Sequence, residues 1–265
     1  MITDQNVIQY FRHPQRRIPV QTLDASKIGT DRQLFRGMHP LLWKDKTPYG
    51  CGRHYMVFNS HKAIPKYCFD CYKVLIAPRN VLELFKLLMI FDKIELPIDN
   101  TRKCMVEERK YCSGTYKGYV FCRGMEEADE VLKIVQAAVH EDISPHVSVT
   151  IKRGCSEFEI DFPEYTKMDN GPVMHYNEDW QEYEDKVDEF LAAKGYIKPD
   201  ITAIRTSGPQ PRYTPGEILG MQYWTRYAAT IGDTSYIKLI GQTMRPIPNL
   251  VRPPFENTVL EKALG

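Results

Sequence analysis

The sequence predicts an α+β protein whose central domain is a ferredoxin-like split sheet, with an N-terminal zinc-binding element and a C-terminal α+β extension. Three observations predict this class. Over 71–155, four short β-rich segments are each bounded by turn residues. Apolar residues recur at helical spacing after the first and the third of these segments. The resulting order, β-α-β-β-α-β, is typical of a four-stranded antiparallel sheet with two helices on one face.

The elements of this domain are predicted from the residues that end or cap them and from the spacing of their apolar residues. In chain order we predict strand 71–78, helix 81–96, strand 103–110, strand 117–124, helix 125–142 and strand 146–154. Pro78 ends the first strand, and Asn80 can cap the helix that follows. The second helix carries Glu126, Glu127 and Asp129 in its first turns, where the helix dipole favours acidic side chains.

The segments on either side of this domain have a different character. Residues 1–50 are predicted to form an irregular basic arm punctuated by prolines, in which HPLLW (39–43) is a short helical turn. The extension over 156–265 is predicted to contain an edge strand at 158–165, helices at 177–195 and 217–233, a short strand at 234–241 and a Pro-rich tail from 244. The two helices carry Trp180 and Trp224, which need an apolar surface to pack on.

The composition is that of a globular protein. Of 265 residues, 43% are hydrophobic and 26% are charged, which is ordinary for a folded domain with a sizeable core. The longest apolar run is interrupted by Lys86, Asp92 and Lys93, so no segment is expected to span a membrane. The first residues lack the apolar region of a secretory signal, and we therefore expect a cytoplasmic location. In that reducing compartment the seven cysteines are more often metal ligands or buried thiols than disulfides.

Charge is distributed unevenly along the chain, although the net charge is only +1. Residues 1–80 hold about 13 Lys and Arg against 5 Asp and Glu, whereas residues 156–196 hold about 3 against 12. The basic third of the chain could contact the phosphates of a nucleic acid or an acidic partner. Alternatively, it docks on the acidic segment of the same chain.

Residues with the chemistry of metal ligands are concentrated in the stretch CGRHYMVFNSHKAIPKYCFDC. Cys51 and His54 are three apart, Cys68 and Cys71 are three apart, and thirteen residues separate the two pairs, as in a Cys3His zinc site. On a tight turn, two ligands at this spacing both point inward, so each pair supplies one edge of a tetrahedron. The stretch resembles a zinc ribbon or knuckle, and the resemblance implies a structural Zn²⁺ within 45–71.

Other interpretations of the cysteines and histidines stay open. Cys68 and Cys71 could be buried thiols at the start of the first strand, or a redox pair, although redox CxxC motifs usually open a helix. His61 could replace His54 as the histidine ligand. The cysteines on or beside the predicted strands are interpreted as small hydrophobic side chains on core faces. These are Cys104, Cys122 and Cys155.

The predicted strand KGYVFCRG carries a second motif. It resembles the RNP1 strand of RNA recognition motifs at Lys117, Gly118, Tyr119 and Phe121. The resemblance implies a nucleic-acid surface on the open face of the sheet, where alternation groups Lys117 with the two aromatic rings and where bases can stack. In the first strand, Tyr72 would take the place of the missing RNP2 aromatic. Alternatively, the C-terminal extension covers this face, and the two aromatic residues belong to a core.

No sequence motif identifies a catalytic site. The G-x-S-x-G, H-E-x-x-H, P-loop and dinucleotide-binding patterns do not occur in the sequence. The sequence therefore predicts a non-catalytic, zinc-stabilised binding protein that contacts nucleic acid. One alternative is an accessory subunit of an assembly, docking on a protein partner through the N-terminal arm and the Pro-rich tail. Another is an enzyme with a cleft between the sheet domain and the C-terminal region.

Overall fold

The computed structural model describes residues 41–43, 51–98, 100–109, 112–168, 173–195 and 215–243. Most of the predicted N-terminal arm and the whole of the Pro-rich tail lie outside these residues. The strands are β1 Leu41–Trp43, β2 Tyr72–Ala77, β3 Arg102–Val106, β4 Tyr116–Cys122 and β5 Ser148–Arg153. The α-helices are α1 Cys51–His61, α2 Val81–Phe91, α3 Met125–Asp142, α4 Phe158–Asp161, α5 Gln181–Ala193, α6 Pro215–Ile231 and α7 Tyr236–Ile240. Two short 3₁₀ helices span Lys66–Asp70 and Glu178–Trp180.

The strands form one antiparallel sheet in the order β1-β3-β4-β2-β5. β2 is paired on both sides, with Val74 opposite Val120 of β4 and opposite Ile151 of β5. Helix α2 connects β2 to β3, and helix α3 connects β4 to β5. The protein therefore combines helices with an antiparallel sheet, which is consistent with the predicted α+β class.

Several local signals of the sequence act as predicted. Helix α3 has the predicted bounds, 125–142. The side chain of Asn80 accepts a hydrogen bond at 3.0 Å from a main-chain N–H in the first turn of α2, so it caps this helix. Helix α2 ends at Phe91 rather than at 96. The buried guanidinium of Arg102 donates to the carbonyls of Phe91 and Ile94 at 2.9 and 2.8 Å and so satisfies them where the chain leaves the helix.

The main hydrophobic core lies between α2, α3 and one face of the sheet. Val74 and Val120 of the two central strands are fully buried in it. Gly118 is on the same face of β4, and a Cβ at this position would come within 2.4 Å of the Leu87 side chain in α2. The missing side chain at 118 therefore allows α2 to lie directly on the sheet.

Two segments predicted as strands are short helices. Residues 158–165 contain α4, in which Phe158 is fully buried while Ile160 is 59% exposed, as helical rather than strand spacing requires. Residues 234–241 contain α7, whose buried residues Tyr236 and Leu239 are three apart. In both cases a short apolar run fits the period of a strand as well as that of a helix. The packing of the folded chain then favours the helix.

Two other predictions about local structure are also wrong. Residues 39–43 were expected as a helical turn, but Leu41–Trp43 form the edge strand β1, which pairs with β3 in the register Leu42↔Cys104. Cys51 and His54 were expected on a tight turn, but they lie in the first turn of α1. A helix also places residues three apart on one side, so the pair still points in a common direction.

Of the described C-terminal helices, α6 and α7 pack on α2, whereas α5 packs on α1. Trp224 of α6 is fully buried and meets the ring of Phe85 edge-on, with the centroids 5.8 Å apart. Trp180 packs instead beside Phe162, with the centroids 5.3 Å apart. In the described part of the extension, these two tryptophans therefore pack on other surfaces than the open face of the sheet.

Basic and acidic segments of the chain dock on each other. Arg53 of α1 donates to Glu184 of α5 at 2.7 Å and forms two hydrogen bonds with Asp188, at 2.5 and 2.9 Å. Two further ion pairs join Lys62 with Asp161 at 3.0 Å and Lys66 with Glu178 at 3.1 Å. Among the described residues, part of the basic N-terminal third thus packs on the acidic segment. This agrees with the interpretation that the basic residues dock on the acidic segment of the same chain.

Candidate metal site

Five of the seven cysteines and one histidine line a single cavity of about 230 Å³. It lies where α1, the 3₁₀ helix 66–70 and the loop after β5 come together. The sulfur and imidazole side chains in its lining are those of Cys51, His54, Cys68, Cys71, Cys122 and Cys155. The structure therefore brings the four predicted zinc ligands to one place, and it adds Cys155 to them. All of these cysteines are free thiols.

The first predicted pair is presented by the first turn of α1. Cys51 and His54 both line the cavity, as their spacing on a helix allows. His54 is only 2% exposed, and its Nε2 is buried without a hydrogen-bond partner. An unsatisfied buried polar atom costs about 1–3 kcal/mol. Nε2 of His54 therefore has the environment of a ligand atom rather than that of an ordinary core histidine.

The second predicted pair belongs to the 3₁₀ helix and its end. Cys68 is buried within this helix, and Cys71 follows it. The hydroxyl of Tyr165 donates to the carbonyl of Cys68 at 2.5 Å, and the N–H of Gly154 donates to the carbonyl of Cys71 at 2.7 Å. Arg153 donates to a third carbonyl of the segment at 3.0 Å. These three bonds hold the second pair against the loop that follows β5.

Cys155 enters the site from that loop. The ammonium group of Lys73 donates to its Sγ at 3.1 Å and to a neighbouring main-chain carbonyl at 2.8 Å. Burial raises the pKa of the Cys155 thiol, but the charge of Lys73 and interactions with His54 outweigh burial and lower the pKa to about 6. Cys155 packs against a hydrophobic cluster that includes Phe69 and Phe158, as its interpretation as a small hydrophobic side chain requires, but it also has a charged neighbour in Lys73. The same interpretation is confirmed for Cys104 and Cys122, which are buried in the main core.

The sulfurs around His54 change its titration. Burial by itself lowers the pKa of His54, but interactions with Cys155, Cys51 and Cys68 outweigh this and raise the pKa to about 12. Burial also raises the pKa of Cys71, to about 12. The sulfurs lie close to the imidazole, yet none makes a well-aligned hydrogen bond to Nε2. The cluster is thus a set of soft donors arranged around one histidine ring.

The chemistry of these donors fits zinc, which binds thiolates and imidazoles in tetrahedral sites. In the described segments, no group of three or more His, Cys, Asp or Glu side chains is placed so that it could hold a metal ion. The donor set and the unsatisfied imidazole nitrogen, rather than a preformed coordination geometry, make this cavity a candidate metal site.

The residues of the RNP1-like strand lie on the face of the sheet opposite α2 and α3. Lys117, Tyr119 and Phe121 share that face and are 6%, 6% and 3% exposed. Tyr72 lies on the other face, where it packs against the main core. The structure therefore brings three of the four predicted nucleic-acid-binding residues together in a buried position and separates Tyr72 from them.

Lysines share this face of the sheet with the two aromatic rings. The alternation of side chains along the strands would have allowed this grouping to be predicted from the sequence. The four lysines that share the face are Lys73, Lys103, Lys117 and Lys152. The ammonium group of Lys73 lies 5.1 Å from the ring centroid of Phe121, and that of Lys103 lies 5.0 Å from that of Tyr119. Burial, together with the charge of Lys73, lowers the pKa of Lys103 to about 8. Lys117 and Lys152 lie near carboxylates, those of Glu107 at 3.4 Å and Glu159 at 3.8 Å, so the face carries lysines whose charge is partly offset.

Comparisons with known proteins do not assign the chain to a family. No protein-family model, no curated protein and no solved structure matches the chain significantly. None of the described helices is long and apolar enough to cross a membrane. The function therefore has to be inferred from the site itself.

Proposed function

We propose that the protein is a non-catalytic binding protein stabilised by a structural Zn²⁺ at the candidate metal site. The observation that carries this proposal is the buried, unpartnered Nε2 of His54, a residue that lines one cavity together with Cys51 and Cys68. One imidazole nitrogen and three thiolates are the donors of a Cys3His zinc site. Cys71 is the third thiolate of the ligand set that the sequence predicts. A zinc ion bound here would satisfy Nε2 and would offset two of the three thiolate charges.

The zinc ion would connect three parts of the chain. Cys51 and His54 belong to α1, the second pair belongs to the 3₁₀ helix 66–70 and its end, and the loop after β5 is hydrogen-bonded to that helix. Because a metal that binds only the folded state stabilises it, the ion would hold the basic segment 51–71 on the sheet. A binding surface formed by this segment would then have one defined conformation.

We also propose the ferredoxin-like arrangement for the sheet domain. The strand order β3-β4-β2-β5 supports it, together with the two connecting helices, which both belong to the core on a single face of the sheet. Strand β1 extends this sheet beyond β3. Such a sheet serves many unrelated functions, so it positions the metal site but does not identify a partner.

Metal analysis of the purified full-length chain tests the zinc proposal. We expect about one Zn²⁺ per chain. We also expect a chelator to lower the thermal midpoint, because removing the ion removes its contribution to the folded state. His54→Ala should lose the zinc, whereas Cys112→Ser should keep it, because Cys112 does not line the cavity. A folded wild-type protein without zinc, or with iron in its place, would contradict the proposal.

A second candidate function is contact with nucleic acid through the lysine-bearing face of the sheet. The observation that favours it is the grouping of four lysines with Tyr119 and Phe121 on one face. Lysines bind the phosphates of the backbone, and bases stack on aromatic rings. Because both rings are buried, stacking on them requires that this face be uncovered when the nucleic acid binds.

Binding of a single-stranded RNA oligonucleotide, followed by fluorescence anisotropy at several salt concentrations, tests this second candidate. The affinity should fall steeply as salt is added. Lys152→Ala should weaken binding and reduce the salt slope by about one. Lys133→Ala, which changes an exposed lysine of α3, should leave both quantities unchanged. Binding that does not depend on salt, or an equal loss in the two variants, would rule this function out.

A further inference from the structure

We infer that the cavity at the candidate metal site also binds a small carboxylate with an apolar body, which accepts hydrogen bonds from Tyr67 and Lys73. This inference goes beyond the proposed zinc site and does not depend on it. Tyr67 and Lys73 both line the cavity, and neither has a side chain of the kind that binds zinc. A zinc ion would therefore leave their hydrogen-bond donors available to a second ligand.

The cavity is much larger than a zinc ion requires. Its volume is about 230 Å³, whereas an engineered apolar cavity of about 150 Å³ binds benzene. Zinc lies about 2.0–2.3 Å from its nitrogen and sulfur ligands, so the ion occupies only a small part of such a space. The lining includes the exposed Asp70 and the partly exposed Arg123, so the cavity reaches the protein surface. A molecule built on one benzene ring therefore has both room and access.

Tyr67 contributes a hydroxyl group that lacks a partner. This residue belongs to the 3₁₀ helix 66–70. Its hydroxyl oxygen is buried and has no hydrogen-bond partner within the described part of the chain. Folded proteins rarely bury a polar group in this way, because the group has given up its hydrogen bonds to water. An acceptor on a bound molecule would satisfy the hydroxyl group of Tyr67.

Lys73 contributes a charged donor to the same lining. The residue is only 7% exposed, and its ammonium group donates to the carbonyl of Gly154 at 2.8 Å and to Sγ of Cys155 at 3.1 Å. Among the described residues these two bonds leave a further N–H for a ligand, because an ammonium group has three donors. Hydrogen bonds from an ammonium group to a carboxylate are stronger than those between neutral groups.

The remaining lining determines the class of ligand. Among the described residues that line the cavity, Asp70 bears the only carboxylate, and this residue is exposed. Tyr67, Lys73 and Arg123 all carry donors, so the ligand has to supply acceptors. The ring of Phe121 and the thiol side chains provide apolar surface for the body of the ligand. A mostly apolar lining with a few polar groups is typical of small-molecule sites.

NMR titration of the isotope-labelled full-length chain with benzoate tests the inference. Benzamide, which has nearly the same shape but no charge, is the control probe. Benzoate should bind with a dissociation constant on the order of 1 mM, as expected for so small a ligand, and benzamide about 10-fold more weakly. Tyr67→Phe should weaken benzoate binding by about 10-fold, because it removes a hydrogen bond to a charged group. It should leave the fold and the zinc content unchanged, since the hydroxyl has no partner to lose in the described residues.

The matched control variant is Tyr183→Phe, which removes a hydroxyl outside the cavity lining and should bind benzoate like the wild type. Absence of benzoate binding, equal affinity for the two probes, or an equal effect of the two variants would overturn the inference. Zinc in the same sample would then leave the metal site standing. Benzoate binding by a chain without zinc, with the expected effect of Tyr67→Phe, would instead support the inference and contradict the zinc proposal.

A second measurement applies should Tyr67→Phe fail to fold. The main-chain amide resonances of Cys68 and Gly154, two residues of the cavity lining, must then shift when benzoate is added to the wild type. Benzamide at the same concentration should shift them less. Shifts confined to residues outside the lining would overturn the inference.

Discussion

Replacing Gly154 by alanine is expected to lower the free energy of unfolding by about 2–4 kcal/mol. Two effects add in this estimate. A residue with a side chain at φ +53° pays about 1 kcal/mol of backbone strain. The new Cβ would also lie 2.0 Å from the hydroxyl oxygen of Tyr165, so the ring must move, and overpacking of this kind costs about 1–3 kcal/mol. Urea denaturation followed by circular dichroism measures the sum.

The matched control for this prediction is Gly195→Ala. Gly195 also has a positive φ, +77°, but a Cβ there would meet no atom within 4 Å. This variant therefore isolates the backbone strain and should cost only about 1 kcal/mol. An equal loss of unfolding free energy in the two variants would show that the contact of the new Cβ with Tyr165 does not destabilise the protein. Because Tyr165 also donates to the carbonyl of Cys68, Gly154→Ala should weaken zinc binding as well, whereas Gly195→Ala should not.

The sheet domain was predictable because its signals are local. The signals for the cap at Asn80 and for the acidic first turn of α3 lie in neighbouring residues of the sequence. The segments that became α4 and α7 are too short for their period to be distinguished, and only their packing partners decide it. Similarly, a hydrogen-bonding partner on β3 makes Leu41–Trp43 a strand.

The candidate metal site was predictable only in part, for a related reason. The two pairs of possible ligands within 51–71 are recognisable by their spacing in the sequence. The structure places both pairs at one cavity. Cys155 carries no such spacing signal, and only the antiparallel pairing of β5 with β2 returns its loop to the 3₁₀ helix. The burial of Tyr119 and Phe121 could not be predicted from the sequence either. Alternation along a strand assigns residues to a face of the sheet but does not say what covers that face.

Replacing Arg53 by methionine should lower the free energy of unfolding by about 3–5 kcal/mol, as expected when one partner of a buried ion pair is removed. The Arg53 and Glu184 side chains are 3% and 5% exposed. Without the guanidinium, Glu184 keeps only its uncharged donors, the N–H of Lys66 and the hydroxyl of Tyr176, and its buried charge is no longer neutralised. Since Arg53 immediately precedes His54 on α1 and ties this helix to α5, the loss should appear first as loosening of the candidate metal site.

A double-mutant cycle tests whether the loss comes from this pair. Arg53→Met and Glu184→Gln should each destabilise the protein, and the two together should cost clearly less than the sum, because removing Arg53 leaves a buried charge that the second substitution removes. Lys186→Ala is the control on the same helix. Its ion pair with Glu182 lies at the surface, so its removal should change the unfolding free energy little. Strict additivity of the two substitutions would mean that Arg53 stabilises the fold through Asp188 or through packing of its side chain, and not through the neutralisation of Glu184.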